Sequence, residues 1–537
     1  MTLKPHTTQS NDRPRWLIVY LLFTALVTGA LVMVIEVLGS RVIGPFFGVS
    51  LFVWTSLIAV TLIALAAGYA VGGWFADRHD ACGPLYTIII VAGIWVLLVP
   101  LFKGAVLKAC VPLGLRGGSF ASTLLLFGPP LFLLGCVSPY LARVATRELS
   151  SLGRTVGGLY ALSTLGSVAG TVATGFVLIA YVGVDRIFQL AGTLLIGLGA
   201  AYFLIARRRL VALALLALPL PFALDTGDAA PQSKRMENGT QVTLIEAQDS
   251  FYGNIKVVEY SYGSRRTREM IIDGLIQGGI DPRNGLSVYD YAYHLEALPL
   301  ALHPQGTRSL VIGLGAGIIP RRYEARGITT DVVDIDPAVV DFARRHFGFQ
   351  LRGEIFVEDA RYFLLRGQQQ YDHIILDVFN GDTTPGYLLS REAIALIQRR
   401  LQPGGVVGMN LVARLVGDTY MMASIVKTLS TAFDQVEIYP TFTPTPDSGA
   451  GNIVLMAYDG PQREPDTGIL RGLHIHPMAR EAVLGTLGKR VPPPQDARAV
   501  VLTDDYNPIG FYDAELREWV RRDILETTDW DILIASD

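Results

Sequence analysis

The chain has 537 residues, 50% of them hydrophobic, and a formal net charge of −3. That length carries two or three domains, and the near-neutral balance without a sustained basic stripe speaks against a nucleic-acid partner. Its three cysteines, Cys82, Cys110 and Cys136, include no CxxC pair, so neither a disulfide scaffold nor a metal site is expected.

The apolar residues are concentrated in residues 1–225, which contain seven apolar runs: 16–38, 51–75, 85–102, 120–141, 156–182, 186–206 and 210–224. The first six approach or exceed the ~20 residues needed to cross a bilayer. The seventh is shorter and interrupted by Pro219 and Pro221. Residues 1–225 therefore read as an integral membrane domain of six to seven spans, an α-helical bundle. Gly68 with Gly72, and Gly166 with Gly170, stand at helical spacing and suit close helix–helix packing. Basic residues fall in alternate loops (Arg13 and Arg15; Arg143, Arg147 and Arg154; Arg207, Arg208 and Arg209), which favours a cytoplasmic N-terminus. With six crossings the remaining half of the chain is cytoplasmic too. The expectation is a multi-pass protein of the cell's inner membrane.

Residues 226–239 are polar with Gly and Pro and read as a linker. In 240–300 the alternating runs QVTLIEAQ, NIKVVEYSY and REMIIDG predict a small antiparallel β subdomain. The segment LSVYDYAYHLEALPLAL follows with helical spacing and carries Tyr289, Tyr291, Tyr293 and His294. From 301 to 537 apolar strands alternate with helices, which predicts a doubly wound parallel sheet with its ligand at the carboxyl ends of the strands. The first of these strands, SLVIGL, leads to Gly313, Gly315 and Gly317, where missing β-carbons let backbone amides approach a ligand.

Asp334 and Asp336 end the second strand, Asp359 the third and Asp377 the fourth. Each alone reads equally as a helix cap or turn former; four at successive strand ends converge on one cleft. A dinucleotide enzyme would use the glycine turn and the acid on the second strand, but has no need for Asp359 or Asp377. A sulfonium nucleoside such as S-adenosylmethionine suits the order better, with Asp334 or Asp336 on ribose, Asp359 by the adenine amine and Asp377 facing the sulfonium. Further on, TPTPDSGAGN is a turn-rich loop, and LTDDYNP at 502–508 either caps the last helix or closes the site.

The DGLIQ turn at 273–277, the tyrosine-histidine helix, the glycine turn, DVVDIDP, EDAR and ILDVFNGDTTPGYL stand in one order over about 244–412. In these pieces the chain resembles the spermidine synthases (polyamine aminopropyltransferases), and its apolar first half and LTDDYNP resemble the membrane-fused branch of that family. The resemblance implies a Rossmann-like catalytic domain of the S-adenosylmethionine-dependent transferase type and no bound cofactor. The co-substrate would be decarboxylated S-adenosylmethionine (or S-adenosylmethionine), whose aminopropyl group passes to putrescine or a related amine while methylthioadenosine leaves. It implies Asp377 as proton acceptor; Gly313, Gly315, Gly317, Asp334, Asp336, Asp359 and Ala360 around the nucleoside; and Gln277, Tyr291, Tyr293, His294 and Asp382 around the amine. Tyr291 matches by its distance to Pro299, Tyr293 by the following His294.

The partners implied are a small-molecule amine, a sulfonium nucleoside and the lipid bilayer, with a homodimer allowed. Three residues depart from the family pattern: Gly253 stands for a Gln, Asn380 for an Asp that meets the diamine, and Ala316 for an Asp that faces the aminopropyl amine. Ala316 favours an alternative, a methyltransferase using intact S-adenosylmethionine in the same pocket. A second alternative is an amine transporter with a nucleoside-sensing domain.

Overall fold

The computed structural model describes residues 14–48, 51–79, 81–146, 152–207, 212–219, 232–236, 238–379, 384–445, 450–512, 514–527 and 532. They form two compact units, one drawn from residues 1–43 and 54–227 and the other from 44–53 and 228–537.

The first unit is helical: α1 (Arg15–Phe47), α2 (Leu51–Ala76), α3 (Cys82–Cys110), α4 (Gly114–Ala145), α5 (Leu152–Ala173) and α6 (Val184–Arg207). Five helical stretches among the described residues are long and apolar enough to cross a membrane, and the third of them, Cys82–Ala145, runs to 64 residues. It holds both the third and the fourth expected spans. They are separated by a 3-10 turn, Val111–Leu113, where Pro112 lacks an amide and Gly114 takes a φ of 72°. The seventh apolar run forms only a six-residue helix, α7 (Ala212–Ala217), before Pro219, and residues 220–224 lie outside the described residues. The glycine pairs are packing contacts. A β-carbon at Gly166 would stand 2.0 Å from the Leu26 carbonyl oxygen, and one at Gly68 would stand 2.4 Å from that of Phe132.

The second unit opens with a five-stranded antiparallel sheet in sequential order: β1 (Gln232–Arg235), β2 (Gln241–Asp249), β3 (Asn254–Tyr262), β4 (Arg265–Ile272) and β5 (Leu275–Ile280). Two of these strands differ from expectation. Residues 232–235, assigned to the linker, pair with β2, so that Ser233 faces Thr243. DGLIQ is a turn only over Asp273 and Gly274, both at positive φ (48° and 83°); the rest is β5. Helix α8 (Tyr291–Leu302) begins later than its apolar spacing suggested, because Ser287 bridges to Ile280 and Asp290 caps the helix.

A seven-stranded sheet follows, built from β6 (Arg308–Ile312), α9 (Ile318–Ala325), β7 (Thr329–Asp334), α10 (Pro337–Phe347), β8 (Ile355–Val357), α11 (Ala360–Arg366), β9 (Tyr371–Leu376), α12 (Arg391–Arg399), β10 (Leu401–Ala413), α13 (Tyr420–Leu429), β11 (Gln435–Pro440) and β12 (Gly451–Tyr458). Its order is β11-β12-β10-β9-β6-β7-β8. The expected parallel sheet spans β8 to β10, whereas β12 runs antiparallel to both of its neighbours. Strand alternation feeds two cores: Val311, Val332 and Ile375 pack on one face, Leu310, Ile312 and Leu376 on the other. Chain order reverses between β6 and β9, which opens a crevice at the carboxyl ends of these strands.

Candidate active site

A cavity of about 180 Å³ occupies that crevice. Its floor is the turn after β6, its sides are the ends of β7 and β9, and Tyr252, Asp273 and Gln277 close it from the antiparallel sheet.

The glycine turn explains its own residue types. Gly313 has φ 90°, and a β-carbon there would stand 2.2 Å from the Asp377 carbonyl oxygen; Gly315 has φ 49°, with the Gln277 carbonyl oxygen at 2.5 Å. Only glycine fits either position. The turn does not offer the free amides expected of it. Gly313 N donates to Val333 O, Leu314 N to Asp334 Oδ2 and Gly317 N to Leu314 O, each at 2.8 Å. Gly317 caps α9 against Phe349 and does not line the cavity. Amides committed in this way form no phosphate cradle, which removes the main attraction of a dinucleotide.

The acids take unequal positions. Asp377 follows β9 and faces the cavity, with Oδ1 accepting from Asn410 Nδ2 at 2.9 Å; burial pushes its carboxyl up to about 6, opposed by that hydrogen bond. Asp334 is likewise raised by burial to about 6, although both of its oxygens accept backbone amides, from Leu314 and Asp336. Asp336 caps α10 through Ala338 N and accepts from Ser250 Oγ at 2.5 Å. Both acids line the cavity. Asp359 does not. Its carboxylate caps α11 through Tyr362 N and accepts from Tyr387 Oη at 3.2 Å, leaving Glu358 and Ala360 on the wall. Asp336 and Asp359 are therefore both helix caps and residues of the site's rim.

The amine residues separate along α8. Two residues rotate a helix by about 200°, so Tyr291 and Tyr293 cannot face one way. Tyr291 is near enough to Asp377 that, after burial, this carboxylate is the main influence raising its hydroxyl well above the ordinary tyrosine range. Tyr293 instead donates to Ser287 O at 2.7 Å and accepts from His476 N at 2.9 Å. His294 is fully buried, with its ring nitrogens 3.1 Å from Asp290 O and 3.2 Å from Thr486 Oγ1. Both are core residues, contrary to the expectation that they line an amine channel. Gln277 does line the cavity, while Asp382 and Asn380 lie outside the described residues. Ala316 is buried against Gly278 and leaves no opening.

Four contributors were missed: Tyr252, Asp273, Tyr387 and Asn410. A polar Asn inside the apolar run VVGMNLV was the available signal for Asn410, which is 1% exposed. Taken together, Asp273, Asp334, Asp336, Glu358 and Asp377 line the cavity, and no Lys, Arg or His stands among its described lining residues. Such a site favours a cationic ligand and repels a pyrophosphate.

Comparison with known proteins agrees. Residues 290–462 match the spermine/spermidine synthase domain, so the C-terminal half of the chain carries a domain of the spermidine synthase family. Polyamine aminopropyltransferase of Vibrio vulnificus is 31% identical over 183 residues, 32% of this chain and 60% of its own length. Polyamine aminopropyltransferase 2 of Pseudomonas aeruginosa is 28% identical over 246 residues, 40% of this chain and 67% of its own. The N-terminal histidine N-methyltransferase of Emericella nidulans is 32% identical over 139 residues, but only 25% of either chain takes part.

Proposed function

We propose that this chain, with its spermidine synthase-family domain, is a membrane-bound aminopropyltransferase that moves the aminopropyl group of decarboxylated S-adenosylmethionine to putrescine or a related amine. One observation carries the reading: a cavity of carboxylates without a cation, in which Asp377 stands half-buried at the end of β9. The nitrogen lone pair of the amine attacks the propyl carbon next to the sulfonium, the carbon–sulfur bond breaks towards sulfur, and methylthioadenosine leaves. The proton shed by the amine passes to Asp377. A carboxylate poised near 6 is largely ionised at pH 7 yet basic enough to accept it. Tyr291 would line the amine's approach, Gln277 the donor's tail, and Asp334 or Asp336 would hold ribose. Alignment of amine and sulfonium supplies most of the gain, since orientation alone is worth ~7–11 kcal/mol.

The five long apolar helical stretches support membrane insertion of the first half. The short α7 favours six crossings, and with the basic loops a cytoplasmic catalytic domain. The test is direct: full-length protein given decarboxylated S-adenosylmethionine and putrescine releases methylthioadenosine, and Asp377→Asn loses the release. No release, or an Asp377→Asn variant equal to the parent, ends the proposal.

A second reading, methyl transfer from intact S-adenosylmethionine, is favoured by Ala316, where the family has an acid for the donor's amine. Release of S-adenosylhomocysteine in place of methylthioadenosine would select it.

A further inference from the structure

The segment LTDDYNP at 502–508 has no part in the reaction above. It forms a tight turn in which Thr503 N donates to Tyr506 O and Tyr506 N to Thr503 Oγ1, both at 3.0 Å. Leu502 and Ile509 on either side are buried in the sheet's core, which anchors the turn at both ends. Two side chains project from it. Asp504 pairs with Arg361 through both carboxylate oxygens, Nη1 to Oδ1 at 2.7 Å and Nη2 to Oδ2. Asn507 Nδ2 donates to Gly386 O at 2.7 Å.

These contacts close a circuit. Arg361 lies two residues beyond Asp359, and its Nη1 also donates to Tyr387 O at 3.2 Å. Gly386 precedes Tyr387, whose hydroxyl returns to Asp359 Oδ2 at 3.2 Å. Of the circuit's members, Gly386 and Tyr387 form the short turn beside the cavity, and Tyr387 lines it; Arg361, Asp504 and Asn507 do not. The Tyr387 ring is 44% exposed, so packing alone leaves it free to swing into solvent.

We propose that Asp504 and Asn507 are positioning residues: they hold Tyr387 against Asp359 and so preorganise the wall that receives the base of the nucleoside. The inference rests on the nucleoside reading given above. A partly exposed ion pair contributes little to folding, so its value lies in the geometry it imposes. Fixing an aromatic wall before binding removes an ordering cost that the ligand would otherwise meet.

The test is calorimetric titration of the full-length protein with methylthioadenosine, which carries base and ribose without the reacting group, alongside steady-state kinetics. Asp504→Asn and Asn507→Ala are each expected to weaken binding five- to tenfold and to raise KM for the donor by the same factor, with kcat and the acceptor KM unchanged. Tyr387→Ala is expected to weaken binding as much, and adding either substitution to it costs nothing further. Melting curves identify any variant that fails to fold; the half-exposed Asp504 carries the test if Asn507→Ala does. Unchanged affinity in a folded variant, or a full additional loss on the Tyr387→Ala background, overturns the inference alone. A parent protein that does not bind methylthioadenosine overturns the nucleoside reading and this inference with it.

Discussion

The Asn410 carboxamide donates from Nδ2 to Asp377 Oδ1 at 2.9 Å, and its own oxygen accepts from Asn452 Nδ2 at 3.0 Å. The second bond fixes the direction of the first: with its oxygen occupied by Asn452, the Asn410 amide can only donate towards Asp377. One oxygen of Asp377 is thereby held by a neutral partner while burial keeps the carboxyl basic.

Removing Asn410's amide is expected to strengthen the burial effect on Asp377. In Asn410→Ala the acid limb of kcat/KM shifts upward from about pH 6, because the hydrogen bond stabilises the ionised form. Asn452→Ala shifts it in the same direction by less. A pH–rate profile decides; an unmoved limb in Asn410→Ala would show that Asp377 does not govern the rate.

Asp377→Asn is expected to lower kcat by about 10²–10⁴-fold, the usual contribution of a general base. The parent's kcat/KM should fall at least tenfold per unit below about pH 6, since Asp334 on the facing wall protonates in the same range.

Stability should move the other way. A carboxyl raised to about 6 in the folded state binds its proton more tightly there than in the unfolded chain, so folding weakens as pH rises from about 4 to about 6 and stays weaker above. Asp377→Asn removes this cost. Its unfolding free energy is expected to exceed the parent's by ~1–2 kcal/mol at pH 7, discounted for partial solvent access, and to match it near pH 4. Denaturant unfolding at the two pH values checks the sign.

Tyr291 and Tyr293 separate by phenotype. Tyr291→Phe is expected to raise the acceptor KM or lower kcat several-fold with little change in melting. Tyr293→Phe loses a hydrogen bond to Ser287 and strands the His476 amide, so it should cost ~1–3 kcal/mol of stability and leave the kinetics of the folded fraction intact. The reverse pattern would assign the channel to Tyr293.

Gly313→Ala is expected to abolish nucleoside binding. The position combines φ 90° with a carbonyl oxygen 2.2 Å from the new β-carbon, and that carbonyl belongs to Asp377 itself. The substitution must displace either the turn or the base. Isothermal titration against a glycine-to-alanine control at the open, exposed Gly417 would separate this from a general effect of backbone stiffness.

Local chemistry made much of the protein legible in its residues alone. Apolar run lengths marked the helical half, and strand–helix alternation marked the α/β sheet. Glycine and acid spacing marked the cleft, because a backbone that must pass a neighbouring carbonyl has no alternative to Gly313 or Gly315. The tertiary structure decided what spacing leaves degenerate. Which of Tyr291 and Tyr293 meets the cavity depends on the phase of α8, set by its cap at Asp290. Whether an acid at a strand end faces the ligand or caps a helix depends on the next few amides, which claim Asp359 wholly and leave Asp377 facing the cavity. Asn410, Asn452 and the clamp from Asp504 and Asn507 come from segments far apart in the chain. No local pattern joins them; the sheet order that sets β10 between β9 and β12 does.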